Sequence, residues 1–227
     1  MAGTLFALAV GLLLPAGLFI ASFVKKQWKP YMLGILAFIV SQVLIRLPLL
    51  SYLSVNSTEY MMLSALHPLL YAILLGVTAG LAEELARYVA MRYLMKQSQW
   101  QSGLFFGAGH GGVEAVLLFG LPAASYLFTA ATPIGSGMYF IGGMERIFAV
   151  LLHIGLSLLV LQSVRQKKWR FLLAAIGLHA LIDAMIGIVP LFVAKDLQLL
   201  VMETLIGLLA VGLFLYGLRM KRKDGWI

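Results

Sequence analysis

The 227-residue chain contains no cysteine. It therefore has no disulfide, no thiolate nucleophile, no Cys-ligated zinc and no iron–sulfur cluster of the usual kind. Charge is also scarce. Only 11% of the residues are charged and 62% are hydrophobic, whereas soluble domains carry about 25% charged residues. There is too little polar material to cover a water-exposed surface, which excludes an ordinary soluble protein. A net charge of +8 would point to nucleic acid in a soluble chain. Here the basic residues punctuate apolar runs, which is the pattern of membrane topology, and no nucleic-acid partner is expected.

What is present is a series of apolar runs at 3–24, 31–50, 62–95, 102–122, 144–164, 171–193 and 197–218, each near the ~20 residues that cross a bilayer. The expected fold is all-α: a polytopic helical bundle of about seven transmembrane helices. Residues 1–227 would form a single domain in the lipid bilayer of a multi-pass cell-membrane protein. Thirteen of the seventeen Lys and Arg residues follow the odd-numbered runs, while the opposite loops hold only Lys195. By the positive-inside rule the N-terminus lies outside and the C-terminus in the cytoplasm. Trp28, Trp100, Trp169 and Trp226 sit beside the basic clusters, where amphipathic rings anchor at headgroups. The first run has no basic residues before it, so it reads as an outside-in anchor rather than a cleaved signal peptide. The Pro- and Gly-broken stretch 131–137, continuing to Gly142-Gly143, reads as an outer loop or a shallow re-entrant piece.

An ionisable residue at the centre of a span costs about 2.5–3.5 kcal/mol on insertion scales, so each one there needs a reason. The third run contains Glu83, Glu84, Arg87 and Tyr88; the fourth contains His110 within Gly107-Ala-Gly109-His-Gly111-Gly112 and then Glu114; the fifth contains His153; the sixth contains His179 and Asp183. At 1.5 Å per residue, Glu84 lies ~12 Å inward of Arg92, His110 ~12 Å from Ser102, His153 ~18 Å from Arg165 and His179 ~14 Å from Arg170. Four helices thus place polar residues in one layer nearer the cytoplasmic face. Glu83/Arg87, Glu84/Tyr88, His110/Glu114 and His179/Asp183 are each four apart and share a helix face. A bundle closing on that layer would gather carboxylates, imidazoles and a guanidinium into one pocket. The glycines around His110 read either as helix-packing positions or as room for a substrate. Glu145 and Arg146 read as a pair with each other or with the interface.

Glu83-Glu84 followed by Arg87, then Phe106-x-x-x-His110, then His179-x-x-x-Asp183, in that order on separate runs, resembles the CAAX prenyl-protease and bacteriocin-processing superfamily of glutamate-dependent intramembrane proteases. The Glu-Glu-x-x-Arg-Tyr and His-Gly-Gly-x-Glu forms look most like its YhfC family. The resemblance covers residues 75–190. It implies a bacterial cytoplasmic-membrane endopeptidase acting on a membrane-embedded or membrane-associated peptide or protein. In that reading Glu83 or Glu84 activates water, and His110 and His179 hold that water or the scissile group. Arg87 is three residues from Glu84 where the prenyl-protease form spaces four, and Asp183 stands where asparagine is frequent. His153 has no counterpart in the pattern.

The chemistry stands beside the resemblance. A general base works best with a pKa near the working pH, and burial and a neighbouring cation pull a carboxyl group in opposite directions. Histidine donors can stabilise the oxyanion formed when water adds to a carbonyl. One expectation is a glutamate base without a tightly bound ion, since Arg87 repels a dication. The alternative is a divalent metal such as zinc on His110, His179 and Glu84. There is no His-Glu-x-x-His, no Gly-x-Gly-Asp and no rhomboid-type serine signature. A non-catalytic membrane scaffold or chaperone of the same fold is disfavoured by the paired glutamates, and a proton-coupled transporter by the lack of inverted repeats.

Overall fold

A computed structural model describes residues 2–96, 98–126 and 136–223; the stretch 131–135 and Trp226 lie outside them. The described residues form α1 (Ala2–Val24), α2 (Trp28–Asn56), α3 (Thr58–Leu66), α4 (Pro68–Leu94), α5 (Trp100–Ser125), α6 (Ser136–Gln166), α7 (Trp169–Phe192) and α8 (Lys195–Lys223). No strand occurs among them. All but α3 are long and apolar enough to cross a membrane. The protein is an all-α, multi-pass membrane protein.

Two differences from the run limits change how the chain is read. The third run is not one helix: it breaks at His67 (φ −131°, ψ 59°), because the residue before Pro68 is disfavoured in the α region. The preceding loop shrinks to Ser57, whose Oγ accepts from the Tyr60 N–H at 3.2 Å and caps α3. His67 is exposed at the start of α4. Gly142 and Gly143, expected in an outer loop or re-entrant piece, are helical in α6, where they pack against the rings of Phe119 and Phe6.

Three of the spans widen into π-helix just before a proline. The segments Ala9–Leu13, Ile39–Arg46 and Val116–Gly120 are each followed by Leu-Pro, at Pro15, Pro48 and Pro122. Proline lacks an N–H and its ring presses on the carbonyl one turn back. Shifting that turn to i→i+5 bonding takes up the displaced carbonyl without ending the span.

The described residues fall into two compact units. One comprises Met1–Leu36, Met95–Leu158 and Gly207–Ile227. Its helices meet at glycine. A Cβ on Gly34 would lie 2.0 Å from the Phe106 carbonyl oxygen, one on Gly109 2.1 Å from that of Tyr31, and one on Gly107 2.5 Å from the Ile154 Cα. Backbones at van der Waals distance leave no space for side chains. The glycines around His110 are therefore packing positions, and the expectation that they open room for substrate is corrected. Trp100 is also corrected as a headgroup anchor: it is buried, donating from Nε1 to the Gly217 carbonyl at 2.9 Å, with Lys221 over its ring. Trp28 and Trp169 are exposed.

The other unit comprises Ala37–Leu94 and Leu159–Ile206. Its centre is the α4–α7 contact, built on small residues. Cβ atoms on Gly76 and Gly80 would meet the carbonyl oxygens of Ala180 and Ile176 at 2.3 and 2.6 Å, and one on Gly187 would meet the Ala72 Cβ at 2.7 Å. This close approach sets the α4 carboxylates against the α7 histidine.

Candidate functional site

In the second unit, Glu83, Glu84 and Arg87 of α4 and His179 of α7 are all buried. Glu84 and Arg87 have no exposed side-chain surface and form an ion pair at 3.0 Å. His179 Nδ1 donates to Glu84 Oε1 at 2.7 Å, and Arg87 Nη1 also reaches Oε2 at 3.2 Å. Glu84 is thus held from two sides. Glu83 stands further off: its Oε2 is 3.8 Å from Arg87 Nη2 and 3.7 Å from His179 Nε2. Asp183, one turn along α7, is partly exposed and lies 3.8 Å from His179 Nε2. Tyr88, expected on the Glu84 face, packs its ring on Trp169 at 5.3 Å.

Two residues that the motif reasoning missed complete this cluster. Gln42 of α2 is buried and donates from Nε2 to Glu83 Oε1. Arg46, one turn on, donates to Gln42 Oε1 at 3.1 Å, Thr78 Oγ1 at 3.3 Å and the Leu75 carbonyl at 2.7 Å. Both lie in the π-helical turn of α2. The signal available in the sequence is Ser41-Gln42-x-x-x-Arg46 inside an apolar run.

In the first unit, the His110 and His153 rings lie with centroids 4.9 Å apart, both buried. Glu114 does not serve only its own helix. Its Oε2 takes His153 Nε2 and its Oε1 accepts from Arg146 Nη1 at 2.9 Å, while Arg146 also pairs with Glu145. Arg146 is therefore part of this cluster and not merely a partner of Glu145. His153, placed in the sequence by depth alone, is set against His110 and oriented by a carboxylate.

Two adjacent buried imidazoles, one of them bonded through Nε2 to a carboxylate, are the donor chemistry of a borderline-soft divalent cation with an outer-shell acid. His110 and His153 offer two such ligands, and Glu114 stands as the acid behind His153. Glu84 is engaged with both His179 and Arg87, which leaves it fewer lone pairs for a metal ion than a free carboxylate has.

The family model described as "YhfC intramembrane metalloprotease" matches residues 10–137 and 127–206. A Bacillus subtilis (strain 168) protein, described as uncharacterized membrane protein YhfC, is 37% identical over 209 residues, covering 77% of this chain and 79% of its own length. No solved structure matches. A match that runs through both clusters and all seven spans in full or in part leaves one assignment: the chain belongs to the YhfC intramembrane metalloprotease family.

Proposed function

We propose that the protein is an intramembrane endopeptidase of the wider CAAX prenyl-protease type, hydrolysing a peptide bond in a membrane-embedded or membrane-associated substrate. The observation that carries this reading is the fully buried Glu84–Arg87 pair with His179 on Glu84 and Glu83 alongside. Four ionisable groups in apolar helices are costly to keep, and acid–base chemistry is a reason to keep them. Membership of a family described as metalloprotease supports the same reading.

Glu83 takes the proton of the attacking water on its carboxylate and returns it to the leaving amine. Glu84 acts through its neighbours, fixing the Arg87 guanidinium and the His179 ring so that Glu83 faces a constant field. Gln42 holds the other Glu83 oxygen and sets the direction in which the base points. His110 is kept as a catalytic residue on the strength of its depth in α5 and its place in the ordered motif. His110 and His153 would hold a divalent metal such as zinc. When bound, such an ion polarises a carbonyl or water oxygen and lowers the pKa of bound water. Glu114 and Arg146 orient His153 for that task.

The test is mass spectrometry of membrane peptides from cells expressing wild type, Glu83→Gln or Glu84→Gln, with variant abundance checked by chromatography in detergent. At Glu83 glutamine keeps the shape and removes the base, so products should fall by about 10²–10⁴-fold at unchanged abundance; Glu84→Gln strands the buried Arg87 charge and should lower products and abundance together. Adding His110→Ala to Glu83→Gln should cost little more, since groups acting as a unit are non-additive. A product set unchanged in both glutamine variants refutes the reading.

A further inference from the structure

Two residues that flank the Glu83 cluster also line a cavity. A cavity of about 350 Å³ within the second unit lies between α2, α4 and α7, with Tyr71, Leu75, Ile186 and Gly187 among its apolar walls and two charged residues, Arg46 and Asp183, in its lining. Both charged residues lead to the reacting groups: Arg46 bonds to Gln42, which holds Glu83, and Asp183 neighbours His179.

Arg46 is over-equipped for a structural role. A guanidinium has five N–H donors. Three of them serve Gln42, Thr78 and Leu75, so two have no partner among the described residues. A cationic donor group on the wall of a largely apolar cavity invites an acceptor. A protease substrate supplies one, because a membrane peptide must be unwound before it is cut. An unwound segment then carries backbone carbonyls and N–H groups that hydrocarbon cannot satisfy.

Resting on the peptidase reading, we propose that this cavity is a substrate subsite: it takes an apolar side chain of the extended peptide, while Arg46 donates to that residue's main-chain carbonyl and Asp183 accepts from a main-chain N–H. The walls set the size of the accepted side chain. Gly187 and Ala72 are closed against each other, so Leu75 and Ile186 decide how much room is left. The position is fixed by helix geometry. Leu75 precedes Glu83 by eight residues, ~12 Å along α4. An extended strand rises about 3.3 Å per residue, so the bound side chain lies roughly three to four residues from the cleaved bond.

The test uses the full chain as its Glu83→Gln variant, which stops turnover, in phosphatidylcholine–phosphatidylglycerol vesicles. The probe is a Leu/Ala membrane peptide of about 22 residues with a central Gly-Gly and a diazirine-leucine on its outer side, placed about four residues from that centre. Crosslinks should map to Tyr71, Leu75 or Ile186. Arg46→Gln should lower their yield by about tenfold or more, the worth of a charge-assisted hydrogen bond. Leu75→Phe narrows the cavity and needs no change at Arg46; it should abolish the same crosslinks, and an alanine version of the peptide should outcompete the leucine one. Crosslinks elsewhere, no crosslink, or a yield indifferent to Leu75→Phe would overturn the subsite. Cleavage by the active chain is read separately. Cavity crosslinks without any Glu83-dependent product refute the peptidase reading alone, and products without cavity crosslinks refute the subsite alone.

Discussion

His179 Nδ1 lies 2.7 Å from Glu84 Oε1 although the two residues are 95 apart in the chain. The contact exists because α4 and α7 touch through glycine and alanine, with no bulky side chain between their backbones. It fixes the tautomer: with a carboxylate accepting at Nδ1, that nitrogen carries the proton, and Nε2 is the atom turned toward Glu83 and Asp183.

Arg87 is the first place to look for a stability effect. Removing one partner of a fully buried pair leaves an uncompensated charge, worth about 3–5 kcal/mol. Arg87→Met should therefore lower the yield and the detergent-solution melting temperature sharply. Arg87→Met combined with Glu83→Gln and Glu84→Gln removes the stranded charges and should recover much of the loss. Thermal unfolding followed by fluorescence-detected chromatography measures both.

Metal content separates the two expectations about the base. Elemental analysis of purified protein should find a stoichiometric divalent ion that is lost in His110→Ala and in His153→Ala. Glu114→Gln should weaken its retention against a chelator by about 10–100-fold, the usual effect of losing an outer-shell acid. Metal-free wild type with full peptidase activity would favour the ion-free glutamate base.

The glycines give a sharp internal comparison. Gly109→Ala puts a Cβ 2.1 Å from the Tyr31 carbonyl, whereas Gly177→Ala meets nothing within 4 Å. The first should cost at least the ~1–3 kcal/mol of an overpacked core. The second should be neutral or mildly stabilising, since alanine is the better helix former. Expression level and melting temperature of the two variants decide.

Topology follows from the charge asymmetry. Reporter fusions at residues 28, 98 and 167 and at the C-terminus should read cytoplasmic, and one at residue 56 should read external. A cytoplasmic signal at residue 56 would reverse the orientation.

Much of this was visible in the sequence because the membrane makes polar residues conspicuous. Glu83, Glu84, Arg87 and His179 stand out in apolar runs, and all four lie in one cluster. Gln42 was hidden: an uncharged amide in the second run attracts less notice than a carboxylate, and its reach to Glu83 depends on a π turn that no hydropathy count reveals. Glu114 misled in the other direction. Spacing of four pairs it with His110 on α5, yet its oxygens go to His153 and Arg146 of α6, since helix periodicity gives a face but not the partner opposite. The glycines beside His110 carried two meanings in the sequence, and only backbone distances chose between them.

The π turn of α2 also bears on how this chain tolerates changes of length. Deleting a residue from an ordinary helix rotates everything beyond it by about 100° and buries the wrong face. A turn bonded i→i+5 already contains one residue more than an α turn needs. Excising Leu44, exposed within Ile39–Arg46, would let the segment relax to α geometry and leave both flanks of α2 facing as before. What would be lost is the joint placement of Gln42 and Arg46. A one-residue deletion there is thus expected to spare the fold and displace Gln42 and Arg46 together, whereas a point substitution alters one of them at a time.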